Sequence, residues 1–102
     1  MPDLPFGVDE INAAVEQLFP GNPNRCVEIG PTFAVVEYAP TPQNIRPGGF
    51  ISGPTQFAVC DSALWFATWA AIGRIEPMAL TSELSIRYLR PAVGDVLYCR
   101  AE

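Results

Sequence analysis

One run of residues limits what this chain can become: Gly53 to Gly73, GPTQFAVCDSALWFATWAAIG. Its length predicts a single helix of about five turns. Ser52 or Gly53 reads as its cap, Pro54 suits the first helical position, and Gly73 suits a left-handed exit. The apolar side chains Phe57, Val59, Leu64, Trp65, Phe66, Trp69 and Ile72 go round the cylinder rather than forming a stripe. The expectation is therefore a helix covered on several sides. Asp61, near its middle, is the one charge in the run. A carboxylate on a buried rod is costly unless it has a partner or a task.

The chemistry open to the chain is narrowed by an absence. Its 102 residues contain no histidine, which removes Ser-His-Asp and Cys-His catalysis, His-metal sites and every imidazole acid or base. Catalysis must then use a carboxylate, a tyrosine, a hydroxyl, a thiol or backbone groups. Cys26, Cys60 and Cys99 are far apart and form no C-x-x-C pair, so they read as structural, buried thiols in a reducing cytoplasm, with no metal expected. The length gives one domain, residues 1–102, and 49% apolar against 17% charged residues gives a folded one. A net charge of −5, with six scattered arginines and no lysine, argues against nucleic-acid or anionic-membrane partners. Asp61 at the centre of a short apolar run, followed by polar strands, argues against a membrane span. No signal peptide is visible at the N-terminus.

In chain order, Met1 to Gly7 reads as an irregular arm. Asp9 is placed as the cap of a short helix from about Glu10 to Phe19, with Ile11, Ala14, Val15 and Leu18 on one face. Pro20 to Asn24 stops it. Cys26 to Tyr38 reads as a strand bent at Gly30-Pro31. Ala39 to Gly49 is a loop rich in proline and glycine, a place where function tends to sit. After the long helix, Leu80 to Leu89 alternates with period two: Leu84, Ile86 and Tyr88 on one side, Glu83, Ser85 and Arg87 on the other. Pro91 to Asp95 turns the chain, and Val96 to Ala101 begins a third strand. One long helix with three strands implies a sheet curling round the helix, and three strands are few for that task.

Two features could carry chemistry. Unpaired N–H groups at a helix start suit an anion or a polarised carbonyl oxygen. Gly53 admits a close approach, and because Pro54 has no N–H, Gly53 and Thr55 are the donors left there. Asp61 could attack a carbonyl or activate water. The two lie eight residues apart on one helix, about 12 Å. They cannot both reach one carbonyl within one chain, so if both are catalytic the site lies between two copies. The plainer readings are a paired or water-facing Asp61 and ordinary turn chemistry for Gly48, Gly49 and Gly53.

GGFISGPTQFAVCDSALWFATWA followed by TSELSIRYLRPAVGDVL resembles the hotdog-fold thioesterases, particularly the branch with the phenylacetate-pathway and 4-hydroxybenzoyl-CoA thioesterases. The resemblance covers roughly residues 26 to 102. It implies an α+β hotdog fold, a curved antiparallel sheet wrapped round a long central helix. It implies hydrolysis of an acyl-CoA thioester by a cytoplasmic homodimer or dimer of dimers, with no cofactor. Asp61 falls on the family's catalytic carboxylate, and Gly53 on the glycine whose N–H polarises the thioester carbonyl. In the family these two come from opposite protomers. Thr81 and Ser82 fall where the family contacts substrate or positions water. Arg46, Gly49, Ser52, Phe57 and Trp65 are carried as substrate-binding candidates, Leu64 and Thr68 lie on the Asp61 side, and Arg87 and Arg90 lie where the family meets the coenzyme end.

The departures are Ser52 where the family usually has His, Pro54 where it has a second Gly, and Arg46 where Asn is common. They support an alternative, a non-catalytic acyl-CoA-binding or structural hotdog domain. A hotdog hydratase usually needs a catalytic His, which is absent. The family's sheet has about five strands and this chain ends within the third, so the expectation is a fragment of a longer reading frame that lacks the last two.

Overall fold

The computed structural model describes residues 4–102. The first three positions of the predicted irregular arm lie outside them, and Leu4–Gly7 has no regular structure. Helix α1 spans Val8–Leu18. Its cap is Gly7, not Asp9: the Glu10 carboxylate turns back to accept from the Gly7 N–H at 2.9 Å. A third-position glutamate thus satisfies the chain entering the helix, and Asp9 sits in the first turn beside the positive end of the helix dipole. The Gly7 bond holds the Glu10 carboxyl below its ordinary value. Ile11 and Val15 are buried on the inner face.

The segment expected as one bent strand is a hairpin. Strand β1 is Arg25–Gly30, β2 is Phe33–Tyr38, and they pair antiparallel with Gly30 opposite Phe33. Pro31 and Thr32 make the tight turn, so the Gly30-Pro31 signal marks a reversal rather than a bend. A register shift falls between Cys26 and Glu28. There the Asn12 amide takes both backbone groups of Cys26, donating to its carbonyl at 2.8 Å and accepting from its N–H at 2.9 Å. One polar side chain thereby fastens α1 to the outer strand. The loop that follows carries a 3-10 turn, Pro42–Asn44, and a short ribbon of β3, Ile45–Arg46, against β4, Phe50–Ile51.

Helix α2 runs Gly53–Ile72. Ser52 is the cap, its Oγ accepting from the Thr55 N–H at 3.3 Å, and Gly73 leaves the helix in the left-handed region at φ 77°. Thr55, Val59, Ala63, Phe66, Trp69 and Ala70 are the buried positions. This is one face, at four- and three-residue spacing, laid on the sheet. Phe57 (36% exposed), Leu64 (36%) and Ile72 (45%) lie off it. The sheet covers one side of α2 and the segment after the helix lies along part of another, so the cover expected on several sides is partial among the described residues.

The sheet has the order β1-β2-β5, all antiparallel, with β5 at Leu97–Ala101 as expected for the third strand. Leu80–Leu89, expected as a strand, carries no regular secondary structure; Leu84 and Ile86 are half-buried as the alternation predicts, but Tyr88, expected on the same side, is 51% exposed. The segment joins no ladder, because no strand lies beside it among the described residues. It runs back along α2 instead, bonded to it through Thr81 and Tyr88, and the residues leading into it are tied by side chains: the Trp69 indole donates to the Glu76 carbonyl at 2.7 Å, and the Trp65 indole to the Ala79 carbonyl at 2.8 Å. Further along, the Ile51 N–H donates to the Ala92 carbonyl at 2.8 Å. Among the described residues no helix is long and apolar enough to cross a membrane.

Candidate active site

The return segment meets α2 at Asp61. The Thr81 hydroxyl donates to Asp61 Oδ1 at 2.5 Å, and Oδ2 has no protein partner among the described residues. Neither ion pair among those residues involves Asp61. A half-buried carboxylate is thus left without a cation and oriented by one hydroxyl, with a lone pair free for a ligand or water. It lines a cleft of 280 Å³ with Phe19, Ser62, Trp65, Pro77, Ala79, Leu80 and Thr81. A neighbouring cleft of 320 Å³ shares Trp65, Ala79, Leu80 and Thr81 and adds Leu64, Thr68, Ser82 and Glu83. Four of the candidates, Asp61, Trp65, Thr81 and Ser82, and Leu64 and Thr68 with them, are therefore gathered round one stretch of helix.

Gly53 is at the other end of the same helix. Pro54 has no N–H, and the Thr55 N–H is occupied by the Ser52 cap, so of the two donors expected there only Gly53 is free among the described residues. Ser52 is engaged as that cap, with its Oγ also 2.6 Å from Thr55 Oγ1. Tyr88 lies over Gly53: its hydroxyl donates to the Gly53 carbonyl at 2.8 Å, and a Cβ added at Gly53 would stand 3.1 Å from that hydroxyl oxygen and 3.2 Å from ring carbon Cζ. A side chain at this position is admitted when the exposed Tyr88 ring shifts by a few tenths of an ångström. Gly53, Gln56, Tyr88, Leu89, Arg90 and Pro91 line a cleft of 380 Å³. Arg46 at the end of β3 and Gly49 in the turn to β4 are exposed, and the Gly49 N–H donates to the Arg46 carbonyl at 3.0 Å. Neither they nor Phe57 line the Asp61 or the Gly53 cleft. Gly53 and Asp61, eight residues apart on α2, stand about 12 Å apart along its axis.

Three contacts escaped the sequence. Phe19 follows α1 and reaches the Asp61 cleft from a distant part of the chain, and no local pattern marks it. Tyr88 reads as one residue in an alternating strand. Cys60 and Cys99, expected as isolated thiols, meet with Sγ atoms 3.2 Å apart, and both are half-buried where Cys26 is buried. No group of three or more His, Cys, Asp or Glu side chains suited to a metal occurs among the described residues.

Comparison with known proteins gives this geometry its family. A family model described as the thioesterase superfamily matches residues 48–102, the stretch that carries Gly53, Asp61 and Thr81. A search of curated protein sequences finds no significant match. Among solved structures, the PaaI protein of E. coli, from the phenylacetic acid degradation operon, superposes with a TM-score of 0.63 at 25% identity over 90% of this chain. The conserved protein PA5202 of Pseudomonas aeruginosa superposes with a TM-score of 0.67 at 22% identity over 85% of this chain, a likeness of fold. The chain spans 62% and 66% of those two proteins respectively. The small α+β architecture, an antiparallel sheet against one long helix, is that of the hotdog fold. On the match over residues 48–102, the chain belongs to the thioesterase superfamily.

Proposed function

We propose that the protein hydrolyses an acyl-CoA thioester at a site shared by two copies of the chain. The observation that carries the reading is Asp61: a carboxylate without a cation, oriented by Thr81 in a cleft, on the helix whose first N–H is free. The thioester carbonyl oxygen lies against the Gly53 N–H of one protomer, where the helix dipole favours developing negative charge. Asp61 of the partner subunit either adds to the carbonyl carbon or takes a proton from the water that adds. The tetrahedral oxyanion then collapses, the C–S bond breaks, and the coenzyme leaves as a thiolate that picks up a proton. Hydrolysis of the acyl-enzyme anhydride completes the first route. The 12 Å between Gly53 and Asp61 on one helix supports the two-chain arrangement. Arg90, which lines the Gly53 cleft, supports this reading as the cation for the phosphates of the coenzyme.

The test is thioester hydrolysis, followed by loss of the thioester absorbance, with Asp61→Asn alongside the native chain. Loss of about 100-fold or more in kcat is expected for removal of an acid–base or nucleophilic group. Equal turnover in the variant would remove Asp61 from the chemistry. Binding of acyl-CoA without turnover by the native chain would instead support the non-catalytic reading.

A further inference from the structure

The Asp61 cleft is closed on one side by a residue outside the segment that the family model matches. Phe19 ends α1, its N–H bonded to the Val15 carbonyl at 2.7 Å and its carbonyl accepting from the Asn22 N–H at 3.0 Å. The turn after it is folded back by the Glu16 carboxylate, which accepts from the Gly21 N–H. The backbone of Phe19 is therefore held, while its side chain stays 53% exposed. Its ring meets Trp65 edge-on, with centroids 6.2 Å apart at 62°. Trp65 is the fixed wall: its indole is bonded to the Ala79 carbonyl at 2.8 Å and its ring packs 4.6 Å from Trp69. The cleft between Asp61, Trp65, Leu80 and Phe19 is apolar except at the carboxylate, Ser62 and Thr81. The adjoining cleft carries Glu83 and Ser82 and lacks Asp61, so an apolar chain laid there would desolvate a carboxylate.

We infer that Phe19 sets the size of the acyl group, standing as the end wall against which the chain of a thioester held at Asp61 abuts. The inference rests on the function proposed above. A held backbone with an exposed aromatic side chain makes a wall that can be shortened without loss of a core contact.

The test compares native, Phe19→Ala, Phe19→Leu and Phe19→Trp chains on a series of straight-chain acyl-CoAs of increasing length. Phe19→Ala and Phe19→Leu raise kcat/KM for the longest acyl groups relative to the shortest, by about tenfold for each methylene newly accommodated. Phe19→Trp lowers the same ratio. An unchanged ratio in all three variants, or a loss equal across the series, overturns the inference while leaving the hydrolysis reading intact. If the native chain hydrolyses none of the series, that reading fails, and the same ratios are then taken from dissociation constants. Length preference that shifts in Phe19→Ala supports the wall, and preference identical to the native chain overturns it.

Discussion

Asp61 costs the fold the desolvation of a charge and gains one hydroxyl in return. A hydrogen bond to a charged group contributes roughly 1.5–3 kcal/mol, so Thr81 is central to how that carboxylate is aimed. Thr81→Val is expected to lower kcat/KM by about tenfold or more. Thr81→Ser, which keeps the hydroxyl, should restore most of it, and steady-state kinetics on the three chains checks this. A Thr81 that merely filled space would give the opposite order. Asp61 stood out in the sequence because a lone charge in an apolar helix is visible from pattern alone. Its partner did not follow from pattern: Thr81 is twenty residues on, and only the resemblance pointed to it. The Gly53 donor was legible as well, since Pro54 removes one N–H by its chemistry. That Ser52 removes another depended on a side-chain rotamer that sequence does not encode.

At the scale of elements, α2 shows how capping and packing divide the work. Ser52→Ala is expected to cost about 1 kcal/mol, the ordinary value of an N-cap, read as a lower unfolding midpoint in urea. Trp69→Ala should cost about 3–5 kcal/mol, because Trp69 is fully buried and its indole also holds the return segment at Glu76. If the cap variant proved the more damaging, packing would not be what holds this helix. The bounds of α2 were legible because serine, proline and glycine each mark an end by their own backbone chemistry. The β1–β2 hairpin was less so: Gly30-Pro31 fits a bend and a reversal equally, and the pairing of Gly30 with Phe33 decides between them. The Asn12 clamp on Cys26 spans fourteen residues and leaves no local trace.

At the scale of the molecule, three strands cover one face of α2, and the return segment 80–89 follows the helix without joining a ladder. Its alternation was legible, but the identity of its neighbour was not, since strand pairing is set by the whole sheet. The same holds for Cys60 and Cys99, brought together by helix and strand. Burial pushes the Cys99 thiol up to about 12, with its contact to Cys60 adding to the shift, and burial pushes Cys26 up to about 11. The thiolate is the reactive form, so at mildly alkaline pH Cys26 should be alkylated about 100-fold, and Cys99 about 1000-fold, more slowly in the native chain than in urea. Mass spectrometry of labelled peptides reads this, and equal rates would contradict it. The raised values also carry a sign for stability. Above about pH 9 the unfolded thiols ionise while the native ones keep their protons, so stability falls as pH rises through 11 to 12.

The central claim is that one helix supplies two halves of a site to two different chains. It is tested by mixing two inactive variants, Asp61→Asn and Gly53→Pro, the latter deleting the free N–H at a helix position that accepts proline. Circular dichroism on each confirms that the helix is kept. After subunit exchange at equal concentrations, half the dimers are hybrids with one intact site each. The account predicts recovery of about a quarter of native turnover. A mixture no more active than its two components, with exchange shown to have occurred, would contradict it.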